Sequence, residues 1–163
     1  METFQQVYEE NAKKVYYFLL ALIGDEQQAE EVLQETFYQA FLHIDQFQGK
    51  SSVYTWLCKI GKNAWYKECN RKKRMVFDLG KALETKGQNS SLSVEECVIQ
   101  KEQCDKIRKA AKQMGEPYSD VFCLHVFGEV KLKEIAKLYG KSESWARVTY
   151  FRAKEKILQE VER

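Results

Sequence analysis

Pro117 is the only proline among 163 residues, and only eight glycines accompany it. A chain so short of backbone breakers, and well supplied with Glu, Lys, Gln, Leu and Ala, favours helix almost throughout. No strand-like run lies between turn signals. Apolar residues recur at helical spacing instead. Phe4, Val7, Tyr8, Val15, Phe18, Leu19 and Leu22 mark a first helix over 2–23, ended by Gly24. Asp25, with Gln28 three residues on, begins a second that runs to about His43. Its buried stripe is expected to be Ala29, Val32, Leu33, Thr36, Phe37, Ala40 and Phe41, with Glu30, Glu31, Gln34, Glu35 and Gln39 opposite. A third helix follows the turn Gly49–Ser52, capped by Ser51 or Ser52. Residues 76–93 are polar, with Gly80, Gly87 and the run Gln88–Ser91, and read as a flexible linker. Two domains result, 1–75 and 94–163. In the second, Ser93 caps a helix to about Met114, Pro117 opens another to Phe127, and helices over 132–139 and 143–161 complete the chain. The fold class is all-α: two small helical domains joined by a linker. Hydrophobic content of 44% is enough to give each a core.

Charge is unevenly placed. Residues 1–48 carry two lysines against nine acids, whereas residues 49–75 carry eight Lys and Arg against Glu68 alone. The acidic front and the basic band imply different partners. Within the basic band, Trp56, Lys59, Asn63 and Lys67 share one side of a helix. A ring that stacks a base, an amide that reads a base edge and cations that hold phosphates suit a single nucleic-acid strand. Trp65 faces the other way and is a core candidate, with Val53, Leu57, Ile60 and Ala64. The alternative is a helix whose aromatics are core and whose bases are a solvated face.

Near the C-terminus, Leu132, Ile135, Ala136, Tyr139, Gly140 and Ala146 are spaced as a helix-turn-helix, with Ala136 allowing close crossing and Gly140 supplying the turn. The second helix then exposes Arg147, Val148, Phe151, Arg152 and Lys154. Arginine can take guanine O6 and N7 together in the major groove. An ordinary helical hairpin with a basic surface is the competing reading. No nucleophile–base pair and no phosphate-cradling glycine loop is present, so neither catalytic residues nor a cofactor is expected. The five cysteines are widely spaced. Cys97, Cys104, Cys123 and His125 match no common zinc spacing, so no metal is expected. With no apolar run near ~20 residues and no secretion-type start, membrane insertion is not expected, and a cytoplasmic protein with reduced thiols is.

Three segments resemble the extracytoplasmic-function (ECF) sigma factors, the small two-domain members of the bacterial sigma family. AEEVLQETFYQAF (29–41) is similar to region 2.2, FQGKSSVYTWLCKIGKN (47–63) to regions 2.3 and 2.4, and VKLKEIAKLYGKSESWARVTYFRAKEK (130–156) to region 4.2. The resemblance implies that Glu31, Gln34 and Glu35 contact the β′ coiled coil of core RNA polymerase, and that the β flap is a further polymerase contact. It implies that the first domain melts the −10 element, with Asn63 at a pocket for a flipped base, Ser51, Ser52 and Tyr54 beside it, and Trp56 at the bubble edge, on the face where Lys59 and Lys67 are the candidate phosphate-holding cations. It implies −35 recognition by Arg147, Val148, Phe151 and Arg152, and an anti-sigma partner. The sequence departs from the family where the recognition helix opens as Glu143-Ser144-Trp145-Ala146, where Thr149 replaces a common Arg, and where His125 stands for a phosphate-holding Arg. A stand-alone helix-turn-helix regulator that binds duplex DNA without polymerase remains the alternative, as does a sigma-like decoy without promoter activity.

Overall fold

The computed structural model describes residues 3–79 and 95–162, with side chains placed for 3–78 and 100–162. The elements are α1 (Phe4–Ile23), α2 (Glu26–Leu42), a 3-10 turn (Ile44–Gln46), α3 (Val53–Leu79), α4 (Glu95–Gln113), α5 (Tyr118–Val126), α6 (Leu132–Tyr139) and α7 (Glu143–Val161), and the described residues contain no strand. The all-α expectation holds. Helix α3 continues to Leu79, four residues into the segment expected as linker, because Val76–Leu79 contains no breaker and the first is Gly80. Residues 80–94, including the expected Ser93 cap, lie outside the described residues, as does the side chain of Cys97.

Helices α1, α2 and α3 pack against one another, and α4, α5 and α6 each pack on α7. The first core is built from Val15, Phe18, Leu19 and Leu22 of α1, Ala29, Val32, Phe37 and Ala40 of α2, and Leu57 of α3. Each large aliphatic side chain sealed there contributes about 1.5–3 kcal/mol. Gly61 of α3 lies against both α1 and α2. A Cβ there would sit 3.0 Å from Leu19 Cδ2 and 3.1 Å from Thr36 Oγ1. Local signals start the helices: Thr3 and Gln6 form a reciprocal capping box, and Asp25 Oδ1 accepts from the Gln28 amide at 2.9 Å.

Two members of the expected apolar stripes are not core. Tyr8 is 46% and Phe41 58% exposed. Both rings sit on the outer edge of the α1–α2 seam, Tyr8 edge-on to Phe37 and Phe41 edge-on to Phe4. Trp65 is half-buried rather than sealed, with Lys72 Nζ 5.9 Å from its ring.

The second core joins Ala110 and Ala111 of α4, Val121 and Leu124 of α5, Ile135 of α6, and Ala146, Ala153 and Ile157 of α7. The turn between α6 and α7 depends on Gly140, at φ 64°, whose N–H bonds back to the last turn of α6. Ser142 then caps α7 by accepting from the Trp145 amide. Small Ala136 and Ala146, both buried, let the two helices cross closely.

Candidate nucleic-acid interface

Helix α3 begins where the Ser52 hydroxyl accepts from the Thr55 amide at 3.2 Å, so Ser52 is the cap and Ser51 is buried beneath the turn. Leu57 and Gly61 face the first core. On the outer side the helical repeat aligns Trp56, Asn63, Lys67 and Arg74. Asn63 and Lys67 are exposed, and Trp56 is half-buried with its ring centroid 5.1 Å from that of Phe47. Neither Trp56 nor Asn63 is sealed in the bundle. Glu68, the sole acid of the basic band, turns along the helix to Arg71, with contacts of 2.7 and 3.0 Å. Hydrogen bonding from Arg71 holds its carboxyl below the usual range.

This face lines a groove of about 1300 Å³ that is also lined by Glu31 and Glu35 of α2 and by Lys112, Glu116 and Ser119 of the second bundle. Glu31, Gln34 and Glu35 are all exposed, and Glu35 accepts from Gln39 Nε2 at 2.8 Å. Below them Tyr38 and Leu42 extend the same side of α2 with exposed apolar surface, which sequence reasoning did not assign.

The remaining candidates on α3 are turned elsewhere. Tyr54 is on the far side of the helix from Asn63, and its hydroxyl donates to the Gly128 carbonyl at 2.8 Å. Lys59 Nζ lies 4.3 Å over the Tyr139 ring, and the Ser52 amide donates to Glu134 Oε2 at 3.2 Å. The structure therefore brings together Trp56, Asn63 and Lys67, and engages Ser52, Tyr54 and Lys59 with the second bundle.

At the centre of that contact is a pair the sequence did not suggest. Lys62, with 2% of its side chain exposed, forms an ion pair with the fully buried Asp120 of α5, and Tyr139 donates its hydroxyl to the other carboxylate oxygen. Burial pushes the Lys62 ammonium below its usual range. Tyr66 beside it meets Ser119 Oγ at 3.2 Å and Cys123 Sγ at 3.3 Å. Burial likewise raises the Cys123 thiol, and raises that of Cys58 to about 12. One sequence signal could have found the pair: Asp120 is the only charged residue in a turn otherwise made of Val121, Phe122, Cys123 and Leu124.

On α7, Arg147, Val148, Phe151 and Arg152 form one outward face, with Val148 47% and Phe151 62% exposed. Arg147 Nη2 is 3.0 Å from Glu143 Oε1, one turn earlier. Thr149 is buried, so its difference from the family pattern changes packing rather than the outward surface. His125 is also turned inward. Its Nδ1 is 2.9 Å from the Val130 carbonyl oxygen and its ring packs edge-on to Tyr150. Cys104 is exposed and Cys123 sealed; among the described residues no group of three or more His, Cys, Asp or Glu side chains is placed to hold a metal. Nor is any described helix long and apolar enough to cross a membrane.

Residues 7–75 match the family model described as Sigma-70 region 2. Over 155 residues the chain is 26% identical to the ECF RNA polymerase sigma factor SigM of Bacillus subtilis (strain 168), spanning 95% of this chain and 93% of that protein. It is 25% identical over 164 residues to SigX of the same organism, spanning 99% and 84%. The fold superposes on the sigma factor RpoE from Bartonella quintana, solved with the anti-sigma factor NepR, with a TM-score of 0.60 at 18% identity, across 98% of this chain and 96% of that one. The region 2 match over the first bundle and the near full-length relatives agree with the helix-turn-helix of the second: residues 7–75 belong to Sigma-70 region 2, and the chain is similar along nearly its whole length to ECF RNA polymerase sigma factors.

Proposed function

We propose that this chain is a dissociable initiation factor that binds core RNA polymerase in the cytoplasm and directs it to promoters with both bundles. Residues 1–75 dock on the β′ coiled coil through Glu31, Gln34 and Glu35, and hold the melted −10 strand on Trp56, Asn63 and Lys67. Residues 94–163 meet the β flap and read the −35 duplex through Arg147, Val148, Phe151 and Arg152. An anti-sigma protein is the expected regulator. The observation that supports this reading is the groove that half-buried Trp56 and exposed Asn63 and Lys67 of α3 line together with Glu31 and Glu35 of α2.

The work is binding, not bond chemistry. Unstacking a base costs a few kcal/mol, which contacts around Asn63 and Trp56 offset. Polymerase holds the two readers together, so two modest contacts act at high effective concentration. Run-off transcription with purified core polymerase is the test. Promoter-dependent transcripts that require this chain support the proposal. A duplex shift without polymerase, and no transcripts, supports a stand-alone regulator instead. Polymerase binding without initiation supports a decoy.

A further inference from the structure

The outward stripe of α3 continues past Lys67. Trp56, Asn63, Lys67, Asn70, Arg74 and Phe77 follow one another at steps of seven, four, three, four and three residues. That spacing keeps them on one side of a helix, with a drift of only ~20° per seven residues. The stripe has a ring at each end and an alternation of amide and cation between them. From Trp56 to Phe77 it rises about 32 Å at ~1.5 Å per residue. Phe77 is 86% exposed, the most of the exposed large apolar side chains among the described residues. Asn70, Lys73 and Arg74 are exposed beside it, and with Asp78 these residues line a cleft of about 560 Å³. Asn70, Arg74 and Asp78 also line the large groove, so the cleft is continuous with it. We propose that Asn70, Lys73, Arg74 and Phe77 form a second strand-holding subsite, in which Phe77 stacks an unpaired base and Lys73 and Arg74 hold the phosphates next to it. The proposal rests on the strand-reading role given above to Trp56, Asn63 and Lys67, and lengthens the strand that the helix holds.

Charge and ring together select the occupant. Residues 70–78 carry Arg71, Lys72, Lys73 and Arg74 against Asp78 alone. Arg71 is turned to Glu68, and Lys72 Nζ lies 5.9 Å from the Trp65 ring. The cations presented at the cleft are therefore Lys73 and Arg74. Asp78, one turn beyond Arg74, repels phosphate and keeps it on their side. An anionic backbone suits the cations, a base edge suits the Asn70 amide, and any base has a face for the ring. An acidic peptide would use the cations and leave the ring idle. So would a duplex, whose bases stay stacked on one another. A membrane surface needs a broad apolar face, and Asn70 and Arg74 interrupt this one. A melted strand is the occupant that uses all four side chains. At ~3.4 Å per stacked step, the distance between the rings takes about nine nucleotides. A strand of four nucleotides meets one ring at a time.

The test uses the full-length chain with labelled mixed-sequence DNA at low salt: single strands of four and twelve nucleotides and a 12-base-pair duplex. Wild-type affinity should rise steeply from the short strand to the long one. Phe77→Ala should lower affinity for the twelve-nucleotide strand about ten-fold and leave the duplex unchanged, and Phe77→Trp should keep wild-type affinity. Arg74→Gln should weaken strand and duplex alike and flatten the salt dependence by about one ion. An exposed ring is not part of the core, so Phe77→Ala should unfold at the wild-type urea concentration. Three results overturn the subsite: no gain on lengthening the wild-type strand, full affinity in Phe77→Ala, or an equal loss on strand and duplex. A polyglutamate of twelve residues that displaces the strand as well as unlabelled DNA does overturns it too, because it offers charge without bases. Trp56→Ala on the same strand judges the groove: a loss there with none in Phe77→Ala removes the second subsite alone. Run-off transcription judges the sigma reading separately, since these measurements involve neither polymerase nor promoter.

Discussion

The two helices proposed to meet DNA, α3 and α7, differ in how freely they are presented. On α7 the whole face of Arg147, Val148, Phe151 and Arg152 is exposed, and Arg147 is paired with Glu143 of the same helix. On α3 the corresponding surface is divided. Trp56, Asn63 and Lys67 face the groove, while Ser52, Tyr54, Lys59 and Lys62 are held by the other bundle. On the proposed reading, the duplex-reading face lies wholly within its own bundle, whereas the strand-reading helix shares its surface with the second bundle.

The largest expected effect separates the two sides of α3. Leu57 is fully buried and Trp56, its neighbour, faces the groove. Leu57→Ala should lower the stability of the first bundle by about 2–5 kcal/mol, read by urea denaturation. Trp56→Ala and Asn63→Ala should leave core polymerase binding intact and weaken the open complex, the first by roughly 1–3 kcal/mol of lost stacking. Permanganate reactivity of the melted strand measures this. Open complexes equal to wild type would take both residues out of the strand-reading face and leave α7 as the only reader.

Much of this comparison was visible in the sequence because it is local. Gly24, Pro117 and Gly140 punctuate the helices, and Asp25, Ser52 and Ser142 start them through bonds three residues long. The outward faces of α3 and α7 follow from the 3.6-residue repeat alone. What was not visible is what one bundle does to the other. Lys62 and Asp120 are 58 positions apart, and no periodicity reports a partner at that distance. Lys62 therefore looked like one more cation of a solvated band. Phe41 misled in the opposite sense. Its spacing places it with Phe37, but α2 has reached the edge of the bundle there and the ring stays exposed.

The matching test on α7 is Arg147→Ala. A bidentate guanine contact is worth about 1–3 kcal/mol of discrimination. Binding of a panel of −35 duplexes should show relaxed preference at one position, with open-complex melting unchanged once polymerase is seated. A uniform loss across all duplexes would assign Arg147 to phosphate instead, and α7 would then resemble α3 in reading charge.

The acidic groove wall of α2 is expected to act on polymerase alone. Glu31→Lys with Glu35→Lys should reduce core affinity by about 1 kcal/mol per charge, mostly through a slower on-rate that salt makes insensitive. Single-strand binding by the free chain is the control. A rise in strand affinity as large as the loss of core affinity would show that the wall screens the groove as well as docking the enzyme.

The smallest effect tests whether the α7 face is as free as it looks. Glu143 and Arg147 are paired at i, i+4 with side chains 46% and 64% exposed, a contact worth about 0.3–0.5 kcal/mol. If the pair merely restrains Arg147, Glu143→Gln releases the guanidinium and removes a charge that DNA phosphates repel. Duplex affinity should then rise about two-fold at low salt, with the gain fading as salt screens it. If affinity falls instead, Glu143 holds Arg147 in its reading position. In that case α7, like α3, is a surface prepared by a carboxylate, differing only in that its carboxylate lies one turn away rather than in another bundle.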